Sequence, residues 1–221
     1  SGQQYDASVT GLNNGGFVVT WRDDSGQSGS RGGSSYDVFG QVYDAGGSTK
    51  GGEFLVNTFT SEYQYETDVV DLADGGFVVT WQSERQDGDG NDYYNIYGQR
   101  YDANGSAKGD EFLINTNTSG QQYDSSVARH GDGFVVTWYD TDGSNQSQGG
   151  SSYDVFAKTF TTSGVETPVT DVDEFLVNTT TSHWQYDPEV ASLTDGGFII
   201  TWRGEYQDGD GDNYYNVYGQ R

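Results

Sequence analysis

Hydrophobic and polar residues alternate along this chain in short runs, and the runs recur. Phe17-Val18-Val19-Thr20-Trp21 returns as Phe77 to Trp81, Phe134 to Trp138 and Phe198-Ile199-Ile200-Thr201-Trp202. In an extended strand Phe17, Val19 and Trp21 share one face, while Val18 and Thr20 share the other. Both faces are largely apolar, as in a strand covered on both sides. A second pattern, Tyr36, Val38, Gly40 and Val42 opposite Asp37, Phe39, Gln41 and Tyr43, places aromatic rings on both faces of another strand. Around these runs the spacing predicts four strands per repeat: Gln4 to Leu12, Gly16 to Trp21, Tyr36 to Asp44 and Glu53 to Thr58.

The turns support the same division. Asn14-Gly15-Gly16, Asp74-Gly75-Gly76, Asp132-Gly133 and Asp195-Gly196-Gly197 separate the first two strands of each copy. These residues accept the positive φ of tight hairpins. The copies run from Ser1 to Thr60, Ser61 to Thr118, Ser119 to Thr181 and Ser182 to Arg221, forming one repeat domain over 1–221. Hairpin-linked antiparallel units of four strands predict an all-β fold, a four-bladed β-propeller-like array. The last unit lacks a counterpart of Glu53-Phe54-Leu55-Val56-Asn57-Thr58, so its third strand is expected to be an open edge. Either the parent chain continues beyond Arg221 and supplies the strand, or the edge pairs with another molecule such as a second copy of the chain.

Composition sharpens this picture. The chain has 33 Gly and 2 Pro, and Phe, Trp and Tyr make up 15% of its residues. Large rings at alternating strand positions can then build a core in a sequence that is only 32% hydrophobic. The formal net charge of −24 argues against nucleic acid and anionic membrane surfaces, and favours cations as partners. There is no Cys, which excludes disulfides and thiolate metal sites. No apolar run is long enough to span a bilayer, so membrane insertion is not expected.

The loops between the second and third strands differ between copies. In copies two and four they concentrate oxygen ligands at alternate positions: Asp87, Asp89, Asn91, the Tyr93 carbonyl and Asn95, then Asp208, Asp210, Asp212, the Tyr214 carbonyl and Asn216. A hard cation with several oxygen ligands needs such alternation around a tightly curled backbone, so Ca²⁺ is the expected ion. The arrangement resembles the calcium loops in the hairpins of integrin-type β-propellers, with Asn95 and Asn216 in place of that family's final carboxylate. The acidic Gly-rich turn without an ion is the alternative reading of the same residues. In copies one and three the corresponding loops have irregular acidic spacing and predict no site.

His130 and His183 are the only histidines and stand in no repeated context, which suits surface or packing roles. Trp184 departs from the repeat, where the other copies have Gln3, Tyr63 and Gln121, and with Tyr94 and Tyr215 it is a candidate sugar contact. As a whole the units, with their GGFVVTW and EFLVNT strands, resemble tandem repeats of large secreted bacterial surface proteins of the RTX-adhesin type. That resemblance implies a secreted or cell-surface, non-enzymatic, calcium-stabilised adhesive or structural module, with surface glycans or other copies as partners. A calcium-dependent lectin is the alternative, and a glycoside hydrolase built on paired carboxylates is a third reading.

Overall fold

The computed structural model describes residues 2–24, 36–88, 91–142, 153–161, 170–171, 174–205 and 214–221. Its strands form four antiparallel sheets, one per sequence repeat. Blade 1 contains β1 (Gln4–Gly11), β2 (Phe17–Asp23), β3 (Asp37–Tyr43) and β4 (Thr49–Leu55) in that order. Blade 2 follows with β5 (Gln64–Asp71), β6 (Phe77–Glu84), β7 (Tyr94–Tyr101) and β8 (Phe112–Leu113). In blade 3, β9 (Gln122–His130), β10 (Gly133–Asp140) and β11 (Asp154–Thr161) carry two short outer segments on β11, β12 (Thr170–Asp171) and β13 (Phe175–Leu176). Blade 4 has three strands, β14 (Gln185–Ser192), β15 (Phe198–Glu205) and β16 (Tyr215–Gln220). The fold is thus an all-β, propeller-like array of four units, the last without an outer strand, as the repeat predicts.

The first strands β1, β5, β9 and β14 pack against one another in sequence order around the axis. Each adjoining pair of blades encloses one apolar cluster. Val18, Val38 and Val42 of blade 1 meet Phe77, Val79 and Trp81 of blade 2. Val78, Ile96 and Ile114 meet Phe134, Val136 and Trp138 at the next interface, and Val135, Val155 and Val177 meet Ile200 and Trp202 at the third. The doubly apolar second strand is explained by this stacking, because its alternate residues enter the clusters on opposite sides. β14 and β1 do not pack together in the same way, so the array is open between blades 4 and 1.

The fourth strand differs from expectation. It covers Thr49–Leu55 in blade 1 and Phe112–Leu113 in blade 2, and both strands end two residues before an Asn that turns inward as a clasp, short of the expected Thr58. Asn57 Oδ1 accepts from the Val38 N–H at 2.7 Å, while Nδ2 donates to Asp37 Oδ1 at 2.8 Å and to the Phe59 carbonyl at 2.9 Å. Asn115 and Asn178 repeat this with Ile96, Asn95 and Asn117, and with Val155, Asp154 and Thr180. All three are buried, so one amide satisfies several backbone and side-chain groups away from water. Gly40 leaves room nearby for the Phe54 ring, from which a Cβ would lie 2.6 Å.

Candidate functional site

Each first strand breaks its ladder at the same place. Register shifts fall between Tyr5 and Ser8, Tyr65 and Asp68, and Tyr186 and Glu189, and blade 3 shifts opposite Thr137 and Tyr139. At each bulge one acidic residue adopts a left-handed backbone: Asp6 (φ 50), Glu66 (φ 48), Asp124 (φ 51) and Asp187 (φ 49). That conformation is uncommon outside glycine, and bulges re-aim side chains beside functional sites. Here the four acidic residues line one axial cavity of about 610 Å³, together with the residues that follow them in each strand.

The surroundings of the four carboxyl groups are unequal. The residue after each blade's central Trp is Arg22, Gln82, Tyr139 and Arg203 in turn. Arg22 Nε lies 2.7 Å from Asp6, Gln82 Nε2 donates to Glu66, and Arg203 Nη1 lies 2.5 Å from Asp187. Blade 3 offers a phenol at that place. Asp124 is instead hydrogen-bonded between Glu66 and Asp187, and burial together with these two acidic neighbours pushes its pKa up to about 9. Asp124 therefore keeps its proton at neutral pH, which lets its O–H donate to a neighbouring carboxylate.

A second layer lies one step further along the strands. Ser8 Oγ donates to Asp68 at 2.8 Å, and Ser126 Oγ donates to Glu189 at 3.1 Å. Asp68 also accepts from the Val127 N–H at 3.0 Å, joining blades 2 and 3. On the cavity wall Ser125 Oγ is buried and has no hydrogen-bond partner among the described residues. It is a polar group for which the described residues supply no complement.

Rings surround the carboxyl groups. Tyr5, Tyr36, Tyr65, Tyr94, Tyr123, Tyr139 and Tyr186 form a chain of edge and tilted contacts, with successive centroids 5.5 to 6.3 Å apart. The Arg22 guanidinium sits 4.8 to 5.0 Å from the centroids of Tyr5, Tyr36 and Tyr65, and Arg203 is placed similarly over Tyr186 and Tyr215. These contacts fix both arginines beside their carboxylates. Acidic and hydroxyl groups thus line one cavity, with the tyrosine chain on the strands that carry them, an arrangement suited to hold a polyhydroxylated ring and move protons to and from it.

The residues singled out by loop spacing lie elsewhere. Asp87 and Asn95 are brought together, Asn95 Nδ2 donating to Asp87 Oδ2 at 3.0 Å. The other end of the Asn95 amide accepts from Asn115 at 2.6 Å, and the Tyr93 carbonyl accepts from the Arg85 N–H at 3.1 Å. Asn91 is a bend residue with partners of its own, and Asn216 belongs to β16, paired with Gly204. Tyr214 is exposed. Asp89, Asp208, Asp210 and Asp212 fall outside the described residues. Among the described residues no group of three or more His, Asp or Glu side chains is arranged to hold a metal ion. Trp184 is exposed and stacks on Tyr153, while Tyr94 and Tyr215 belong to the tyrosine chain.

The acidic ring is the feature that sequence spacing missed. Its signal was Gln-Tyr-Asp or Gln-Tyr-Glu at the head of all four first strands, at Gln4, Gln64, Gln122 and Gln185.

No protein-family model matches the chain, and no curated protein matches it in sequence. Solved structures do share its fold. An α-L-arabinanase from Penicillium chrysogenum complexed with arabinobiose superimposes with a TM-score of 0.61 at 12% identity, over 98% of this chain and 62% of that one. A GH93 α-L-arabinofuranosidase from Fusarium graminearum gives 0.60 at 12% identity, over 99% and 62%. An endo-arabinase from Bacteroides thetaiotaomicron gives 0.52 at 12%, over 100% and 76%. The fold they share is propeller-like.

These findings correct the expectation of a non-enzymatic, calcium-stabilised adhesive or structural module. The neighbours that share the architecture are glycoside hydrolases, and the acidic residues with unequal surroundings lie on the axis of the array, away from the hairpin tips. Calcium binding and adhesion are unsupported as descriptions of the chain.

Proposed function

We propose that this protein is a carbohydrate-active enzyme that cleaves a glycosidic bond in the axial cavity. The observation that carries this reading is the geometry of four bulge carboxyl groups on one cavity: Asp6, Glu66 and Asp187 each have a cationic or amide partner, while Asp124 is hydrogen-bonded to Glu66 and Asp187. Asp124, whose pKa burial and acidic neighbours raise, suits the role of acid, and a carboxyl group held by a guanidinium suits that of base. Asp124 donates its proton to the glycosidic oxygen as the bond to the anomeric carbon breaks. Asp6, two blades away on the same cavity and paired with Arg22, takes a proton from the water that attacks that carbon.

Ser125 Oγ on the cavity wall supplies an unused partner for a hydroxyl group, and the tyrosine chain beside the cavity offers flat surface to sugar rings that extend beyond it. Because the fold neighbours named above act on arabinose-containing substrates, arabinofuranosyl glycans are the first class to test. A polymer of that kind is met outside the cell, which makes a secreted or surface location part of the proposal.

The experiment is reducing-end release from arabinan and a panel of other plant and bacterial glycans, with 4-nitrophenyl arabinofuranoside as the small substrate. The wild-type chain should cleave at least one of them, and Asp124→Asn should lose about 10² or more of that rate, the usual worth of a general acid. Binding without cleavage, or cleavage indifferent to Asp124→Asn, would overturn the proposal.

A further inference from the structure

Every blade has two unlike faces, and each face is used three times inside the chain. On the face turned to the following blade, Val38, Ile96 and Val155 occupy one strand position and are all 0% exposed, whereas Val217 at that position in blade 4 is 76% exposed. On the face turned to the preceding blade, Val69 and Val127 are 5% and 7% exposed, whereas Val9 of blade 1 is 63% exposed. The two bare surfaces are therefore the separated halves of an interface already present between blades 1 and 2, 2 and 3, and 3 and 4.

The bare face of blade 1 is also concave. A groove of about 480 Å³ runs over it, lined in part by Tyr5, Val19, Trp21, Tyr43 and Glu53. Val19 corresponds to Val79, and Trp21 to Trp81, which blade 1 itself covers in blade 2. On the opposite side of the gap, β16 has no outer strand beside it.

We infer that the gap between blades 4 and 1 is a docking slot for one further four-stranded unit of this same repeat. Its chemistry follows from continuity with the three internal interfaces. One side of the incoming unit must bring a Phe-Val-Trp strand against Val217 and Ile199, and the other must bring a Val or Leu surface against Val9 and Trp21.

The test joins residues 61–118, the second unit, after Arg221 through a Gly/Ser linker. Hydrogen exchange, tryptophan fluorescence and thermal unfolding are then compared with the parent chain. The fused unit should slow exchange at least tenfold in both β1 and β16, shift Trp emission to the blue, and raise the unfolding midpoint while the protein stays monomeric. Val9→Asp or Val217→Asp should leave the parent chain folded and cancel these gains. A second fusion carrying residues 1–60 guards against misfolding of one particular unit. Unchanged exchange in β1 and β16 in both fusions would overturn the inference. So would parent chains that oligomerise head to tail through the same faces and separate on Val217→Asp.

Discussion

Tyr139 stands in blade 3 where Arg22 and Arg203 stand in blades 1 and 4, and Asp124 is consequently the one bulge carboxyl without a side-chain amide or guanidinium at that position. Burial raises the pKa of the Tyr139 phenol, and the nearby Asp124 raises it further. The pair is then neutral on both sides at physiological pH. The residue type at this one strand position thus sets Asp124 apart from the other three bulge carboxyl groups.

Tyr139→Arg should undo that separation. A guanidinium placed as in blades 1 and 4 would favour the Asp124 carboxylate and lower its pKa by a unit or more. The alkaline limb of the cleavage profile should move to lower pH, and carboxyl carbon chemical shifts followed against pH give the same answer without a substrate. An unmoved titration would detach Asp124 from residue 139.

Stability should fall as pH rises. Burial raises the pKa of Asp140 and of Asp154 to about 6, and that of Asp124 rises to about 9 through burial and its acidic neighbours. An acid with a higher pKa in the folded state than in the unfolded one holds more protons when folded. Its contribution is therefore most favourable below the unfolded value, near 4, and is lost as pH climbs through the folded value. The window runs from about 4 to 6 for the first two groups and extends to about 9 for Asp124. The midpoint measured by circular dichroism should decline by several degrees between pH 5 and pH 9. Asp124→Asn should flatten the upper part of that decline, whereas a midpoint that rose across the range would contradict the assignment.

Asn115→Ala should be costly. It strips partners from the Ile96 N–H, Asn95 and the Asn117 carbonyl within a buried region. Leaving such groups unsatisfied costs roughly 1 to 3 kcal/mol each, so urea unfolding should show a loss of at least about 2 kcal/mol. Asn104→Ala in an exposed turn should change stability by less than about 0.5 kcal/mol.

Repetition made the blades legible because the residues that stack them are apolar and strictly placed. Val18, Val78 and Val135 are fully buried at equivalent positions, and the Asp-Gly turns fall where the hairpins close. The clasp was half visible: the EFLVNT run reads as a strand, yet the burial of Asn57 depends on partners about twenty residues away in sequence. The acidic ring was hidden for a different reason. Strict alternation from Tyr5 predicts where Asp6 points only if the ladder is regular, and no residue type announces a left-handed aspartate at a bulge. Its inequality was hidden more deeply still, since it arises from residue 139 on a neighbouring strand. The hairpin tips attracted attention because their spacing is local and needs no fold to be read.

Blade 4 has no outer strand and, among the described residues, no asparagine clasp, so it is held from one side alone. In arrays where each unit is secured chiefly by its neighbours, a unit with one neighbour is the first to come away. Heat or pulling force should therefore peel β14, β15 and β16 from the molecule as a group before the rest unravels. Asp187 would leave with them, and Asp124 would lose one of the two neighbours that keep it protonated while most of the architecture still stands.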